Sequence, residues 1–145
     1  MKKRYVLLVV SLIMCVALLL CSTVSISAVT DKNYSGQFTK GGINYFDGQV
    51  SGRLYDDTSS SYVSGSTKRE SAGSSYTTVY VKVYFEYPDG EYYPSWNASA
   101  ASTVTTSTYD PGYIYAPDDV SSLHTIYKTT TSSSPGDLWL GAHTH

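Results

Sequence analysis

The chain has 145 residues and a formal net charge of −2, with 14% aromatic and only 15% charged residues. That length suits one domain with a core of its own. The only basic pair beyond the N-terminus, Lys68-Arg69, is followed at once by Glu70, which argues against nucleic acid or an anionic membrane surface as the main partner.

Lys2, Lys3 and Arg4 precede an almost unbroken apolar run from Val6 to Cys21, and Ser22 to Ala28 is small and polar. This is the layout of a secretory signal peptide, with cleavage expected after Ser27 or Ala28. The run is short for a spanning helix, which needs about 20 residues. Leu20 before Cys21 and Met14 before Cys15 do not suit a lipoprotein site. Removing residues 1–28 takes both cysteines away and lowers Lys+Arg from 10 to 7 against 12 Asp+Glu, so the charge moves from −2 to −5. The remainder, residues 29–145, is expected to be one secreted, extracellular domain without disulfides, touching a membrane only through its signal peptide.

Strands are expected from Tyr34 to Thr39, and from Ile43 to Phe46 and Gln49 to Tyr55 on either side of Asp47-Gly48. Asp-Gly between two extended runs predicts a type I′ hairpin, because both turn positions want positive φ. Gly52 in the second arm marks a bulge or a close backbone approach. After the polar loop Asp56 to Ser61, a strand is expected from Tyr62 to Glu70, with Val63, Gly65 and Thr67 alternating against Tyr62, Ser64 and Ser66.

Tyr76 to Tyr87 is the strongest strand signal and is expected at the centre of a sheet. Val79, Val81, Val83, Phe85 and Tyr87 share one face, and Tyr80, Lys82, Tyr84 and Glu86 share the wetter one. Pro88-Asp89-Gly90 turns the chain, and Glu91 to Trp96 returns as a hairpin arm. Pro94 cannot donate to a ladder, so that arm is expected to be short or at an edge. Ser99 to Tyr109 is expected as one strand, followed by turns at Asp110-Pro111-Gly112 and Pro117-Asp118-Asp119 with a short extended piece at Tyr113 to Ala116 between them. Leu123 to Thr131 and Leu138 to His143 close the chain as a hairpin around Pro135-Gly136.

No window has apolar residues at helical spacing, and strong helix formers are scarce. The fold class is therefore all-β, a small antiparallel β-sandwich of about eight short strands behind a cleavable signal peptide.

His143-Thr144-His145 puts two imidazoles on one side of an extended chain, and His124 on the preceding strand could add a third nitrogen for Zn or Cu. These three are weak metal candidates; no metal or cofactor is assigned. Asp56-Asp57 and Asp118-Asp119 sit in turns but lack the spaced carboxylate ladder of a calcium loop. Glu70, Glu86 and Glu91 are the glutamates from which a glycosidase pair would have to come. There is no Gly-x-Ser-x-Gly elbow, phosphate loop or His-Glu-x-x-His, and no cysteine nucleophile after Cys21, so no enzyme is expected.

Of 15 tyrosines only Tyr5 lies in the signal segment, which leaves 14 with Trp96 and Trp139 in one small domain. Some of those rings must be exposed, and Tyr or Trp among Ser and Thr suits adaptable contact with a partner. Tyr92, Tyr93 and Trp96, clustered after a turn, are the expected platform. Val104 is nearly alone as an apolar residue in 98–108, too few for the lipid face of a pore hairpin.

A signal peptide, Gly41-Gly42 followed by Tyr45, and a cysteine-free body rich in Tyr and Ser resemble small exported β-sandwich proteins of Gram-positive bacteria, which include bacteriocins similar to the lactococcin 972 type. The histidine-rich spacing expected of that bacteriocin group is absent around Tyr55 to Tyr62, so no residue is carried over and membership is not claimed. The expected function is a secreted, non-enzymatic, monomeric binding protein that engages a cell-envelope or extracellular glycan through exposed aromatics. The alternative is a bacteriocin-like or host-directed effector.

Overall fold

Alternation of period two becomes eight strands among the described residues: β1 Val29–Lys40, β2 Ile43–Tyr55, β3 Tyr62–Arg69, β4 Thr78–Glu86, β5 Tyr92–Ala100, β6 Thr103–Tyr109, β7 Asp119–Tyr127 and β8 Asp137–Gly141. The computed structural model describes residues 28–56, 60–90, 92–110, 116–128 and 133–142, with 92–96 as backbone alone. All pairings are antiparallel, in two four-stranded sheets ordered β1-β2-β3-β6 and β5-β4-β7-β8. The chain forms the antiparallel β-sandwich that the sequence predicts.

Each sheet turns one side chain in two toward the other. Phe46, Val50, Leu54 and Val63 from the first sheet meet Val79, Val81, Val83, Phe85, Val120 and Ile126 from the second, all at most 3% exposed. Burying a side chain of this kind contributes about 1.5–3 kcal/mol. Phe38 stacks on Phe46 with ring centroids 5.1 Å apart, which covers the β1 end of the core. β4 lies inside its sheet between β5 and β7, as the Tyr76–Tyr87 signal requires.

Glycine lets the layers come close. A Cβ on Gly65 would stand 2.5 Å from Val83 Cγ1, one on Gly52 2.5 Å from Val120 Cγ1, and one on Gly48 2.7 Å from His124 Cγ. Three strand glycines of the first sheet thus receive branched or ring side chains of the second.

The structure corrects three expectations. Asp47-Gly48 is not a turn: β2 runs through it, paired with Gln37 and Gly36 of β1. The β1–β2 turn is Gly41-Gly42, with φ of 62° and 78°, the pair of positive values a type I′ connection needs. Asp47 instead accepts a hydrogen bond from Asn44 Nδ2 at 2.6 Å.

Ser99 to Tyr109 is not one strand. The chain bends at Ala101-Ser102, ends β5 in one sheet and begins β6 in the other, and Ser102 O accepts from Arg69 N at 2.9 Å. A run of small Ser, Thr and Ala residues carries too little apolar contrast to show where it changes layer.

β7 begins at Asp119, before Leu123, so Pro117-Asp118-Asp119 is the run into a strand. Asp118 N–H donates to Glu86 O at 2.9 Å and starts that ladder.

The return arm, expected to be short or at an edge, is the nine-residue edge strand β5, and it skips a residue opposite the Val83–Tyr84 step. The β7–β8 hairpin forms, with β8 ending at Gly141. The proposed signal segment, Asp57, Glu91, the pieces at 111–115 and 129–132, and His143 to His145 lie outside the described residues.

Candidate functional site

A group of aromatics lies on the outer face of the second sheet, Tyr84 among them at 4% exposure. On β4, Tyr80, Lys82 and Tyr84 point away from the valines. On β7, Leu123 and Tyr127 share that face, and on β8, Trp139 does, because it pairs with Leu123, which pairs with Lys82. Tyr84 and Trp139 stack with centroids 5.7 Å apart and planes 28° apart. They meet across β7 because the residue beneath, Ser121, is small. Its Oγ is buried there without a hydrogen-bond partner among the described residues.

Tyr80 and Tyr127 meet edge to face at 6.1 Å, and Lys82 Nζ lies 5.1 Å from the Tyr84 ring centre. Tyr80 and Tyr84 are four residues apart on one strand, so the two aromatic pairs are separated by about 13 Å with the ammonium between them. Asn97 and Ser99 of β5 pair with Lys82 and Tyr80 and extend the strip toward the edge. Burial raises the Tyr80 phenol above its ordinary value, helped by Tyr84 and Tyr127. Burial and then Asp137 raise Tyr127, against an opposing hydrogen bond from Thr125.

Tyr92, Tyr93 and Trp96 lie on β5 in register with Glu86, Phe85 and Val83, and their side chains lie outside the described residues. The sequence reading missed Trp139 and Tyr127. The signal was present in the period of two, since Tyr80 and Tyr84 were already on the wetter face, but the β7–β8 register was needed to bring the partners to it.

His124 faces the core and is fully buried. Thr67 Oγ1 donates to Tyr80 O at 2.8 Å, so its lone pair is left to accept from His124 Nδ1–H at 2.7 Å. Nε2 then accepts from the Ser122 hydroxyl at 2.6 Å. The network assigns this tautomer. With burial as the sole cause, the imidazole is pushed down to about 4. Both ring nitrogens are engaged, so His124 cannot also ligate a metal without breaking this chain. His143 and His145 lie outside the described residues, within which no group of three His, Cys, Asp or Glu residues could hold an ion.

The acidic residues part company. Lys68 pairs with Glu70 at 2.8 Å on the exposed surface. Glu70 follows β3 of the first sheet and Glu86 closes β4 of the second. Asp56 and Asp118 line an open cleft of about 350 Å³ with Thr30, Lys32, Leu54 and Pro117.

Asp119 closes the cleft's flank. β8 stops at Gly141 opposite Ser121, which leaves Asp119 to β1. Its carboxylate accepts from Tyr34 Oη at 2.8 Å and pairs with Lys32 Nζ at 3.2 Å. Burial first, then the Asp119 hydrogen bond and the Asp119 and Glu86 charges, push the Tyr34 phenol up to about 12. Asp119→Asn is expected to bring Tyr34 part of the way back toward 10.0, since burial remains. Alkaline absorbance titration, with Tyr34→Phe as the blank, measures this. An unmoved midpoint refutes the coupling.

Comparison with protein-family models, curated proteins and solved structures finds no match to this chain.

Proposed function

We propose that the chain is an exported, non-enzymatic binding domain that engages an extracellular or cell-envelope glycan on the outer face of its second sheet. The observation that carries this is the partly exposed Trp139 ring, stacked on a Tyr84 ring that is only 4% exposed, with Lys82 beside it. Sugars offer apolar C–H faces for such rings, and Lys82, Asn97 and Ser99 supply donors for ring hydroxyls. Rigid aromatics on strands lose little entropy when they bind, so a shallow face can serve without a deep pocket. The apolar run of Val6 to Cys21 behind Lys2, Lys3 and Arg4 supports export.

A glycan array and a cell-wall pull-down test the reading. Trp139→Ala and Tyr80→Ala are each expected to weaken binding about tenfold, the equivalent of one stacking contact. Tyr109→Ala, on the other sheet, should bind as the parent does. Undiminished binding by both face variants would end this assignment. Growth inhibition of neighbouring strains with no glycan bound would favour the bacteriocin-like alternative.

A further inference from the structure

The outer face of the first sheet carries a different arrangement. Register aligns Asp31, Arg53, Tyr62 and Tyr109 in one row across β1, β2, β3 and β6. Asp31 accepts from Arg53 Nε at 2.8 Å and Nη2 at 3.1 Å, which fills the β1 half of the row. The other half is two phenols, direct partners across the β3–β6 ladder, with centroids 5.9 Å apart and planes tilted 53°.

The backbone under them is held firmly. Asp110 N–H donates to Ser61 O at 2.8 Å, Tyr87 Oη donates to the Asp110 carboxylate at 2.8 Å, and Tyr55 N–H donates to Ser61 Oγ at 3.0 Å. Tyr109 itself is 68% exposed, so its ring can turn and a diffusing oxidant can reach it. Two other tyrosine pairs, Tyr80–Tyr127 and Tyr45–Tyr76, are partly buried and meet edge to face at 66° and 78°.

We propose that Tyr62 and Tyr109 are a site of intramolecular dityrosine formation, which ties edge strand β6 to β3 in a chain with no cysteine after Cys21. The oxidant class is a haem peroxidase acting with hydrogen peroxide. One electron and one proton leave each phenol, and the two phenoxyl radicals join through ring carbons ortho to oxygen. Each joined carbon then gives up its hydrogen as a proton, the phenol oxygens are reprotonated, and both rings regain aromaticity. In sum two ring C–H bonds break, one C–C bond forms, and the peroxide takes up two hydrogens as it is reduced to two waters. Coupling within the chain outruns coupling between chains because the partner ring is already adjacent. The link would close the long loop between the two residues and constrain the unfolded chain, as a disulfide does.

Treating the purified protein with peroxide and a haem peroxidase at low protein concentration tests this. The expected product is a fluorescent monomer two hydrogens lighter, with Tyr62 and Tyr109 in one linked peptide pair and a Tm higher by about 10 °C. Tyr109→Phe should lose the linked pair and the Tm gain, whereas Tyr127→Phe should keep both. Dityrosine found only between chains, or linked at other residues, or not formed at all, would overturn the proposal.

Discussion

Acidification from pH 6.5 to about pH 4 is expected to cost the folded chain about 2.5 kcal/mol, with His124 responsible. In the unfolded chain its imidazole titrates near the ordinary 6.5, and in the core it is pushed down to about 4 by burial. A group with a depressed folded value and a charged acid form binds its proton more readily when unfolded. The stability it contributes is therefore fully present above pH 6.5 and drains away as pH falls toward 4. Among the described residues its neighbours offer no charge to the imidazolium: its register partners Val81 and Leu138 are apolar, and Gly48, Thr67 and Ser122 are neutral. A second proton on the ring would also turn Nε2 from acceptor to donor against Ser122. Urea unfolding at pH 7 and at about pH 4.5, on the parent and on His124→Gln, isolates this from the carboxylates. Gln keeps a donor and an acceptor without titrating, so the parent should lose about 2.5 kcal/mol more than the variant over that interval. Parallel losses in the two would refute the assignment.

Gly65→Ala is expected to destabilise the protein by about 2–3 kcal/mol despite adding only a methyl group. The new carbon would sit 2.5 Å from Val83 Cγ1 and 3.0 Å from Val81 Cγ2, with Gln49 O at 3.4 Å. Val83 is fully buried at the centre of β4 and stiff at χ1, so it cannot turn away, and relief must come from parting the sheets. Replacing the obstacle should restore room. Gly65→Ala combined with Val83→Ala should therefore be more stable than the sum of the two separate losses predicts, by about 1 kcal/mol or more. Strictly additive losses would mean that the layers yield freely at this point.

The two sheets, the interior place of β4 and the edge place of β5 were legible because Val79 to Phe85 alternates without a break and Pro94 cannot pair on both sides. Asp47-Gly48 misled because turn chemistry is local, whereas Gly48 is glycine for a tertiary reason: the His124 ring occupies the place of its Cβ. Gly52, expected to mark a bulge or a close approach, makes the close approach, against Val120. His124 had the residue type of a ligand, and only the meeting of β3 with β7 reveals Thr67 and Ser122 saturating it. The binding face needed the same knowledge. Tyr84 and Trp139 are distant in sequence, and which rings share a surface depends on pairings that no single strand encodes.

β1 and β8, the first and last strands, flank each other at one side of the sandwich: a Cβ on Gly36 would touch Leu140 at 2.8 Å, and β8 runs down toward the Lys32–Asp119 pair. Residues 28 and 142 thus stand at the ends of two strands that share one side of the sandwich rather than on either broad surface. A carrier, label or solid support joined at residue 28 or 142 would hold the domain by that side, like a flag on its pole.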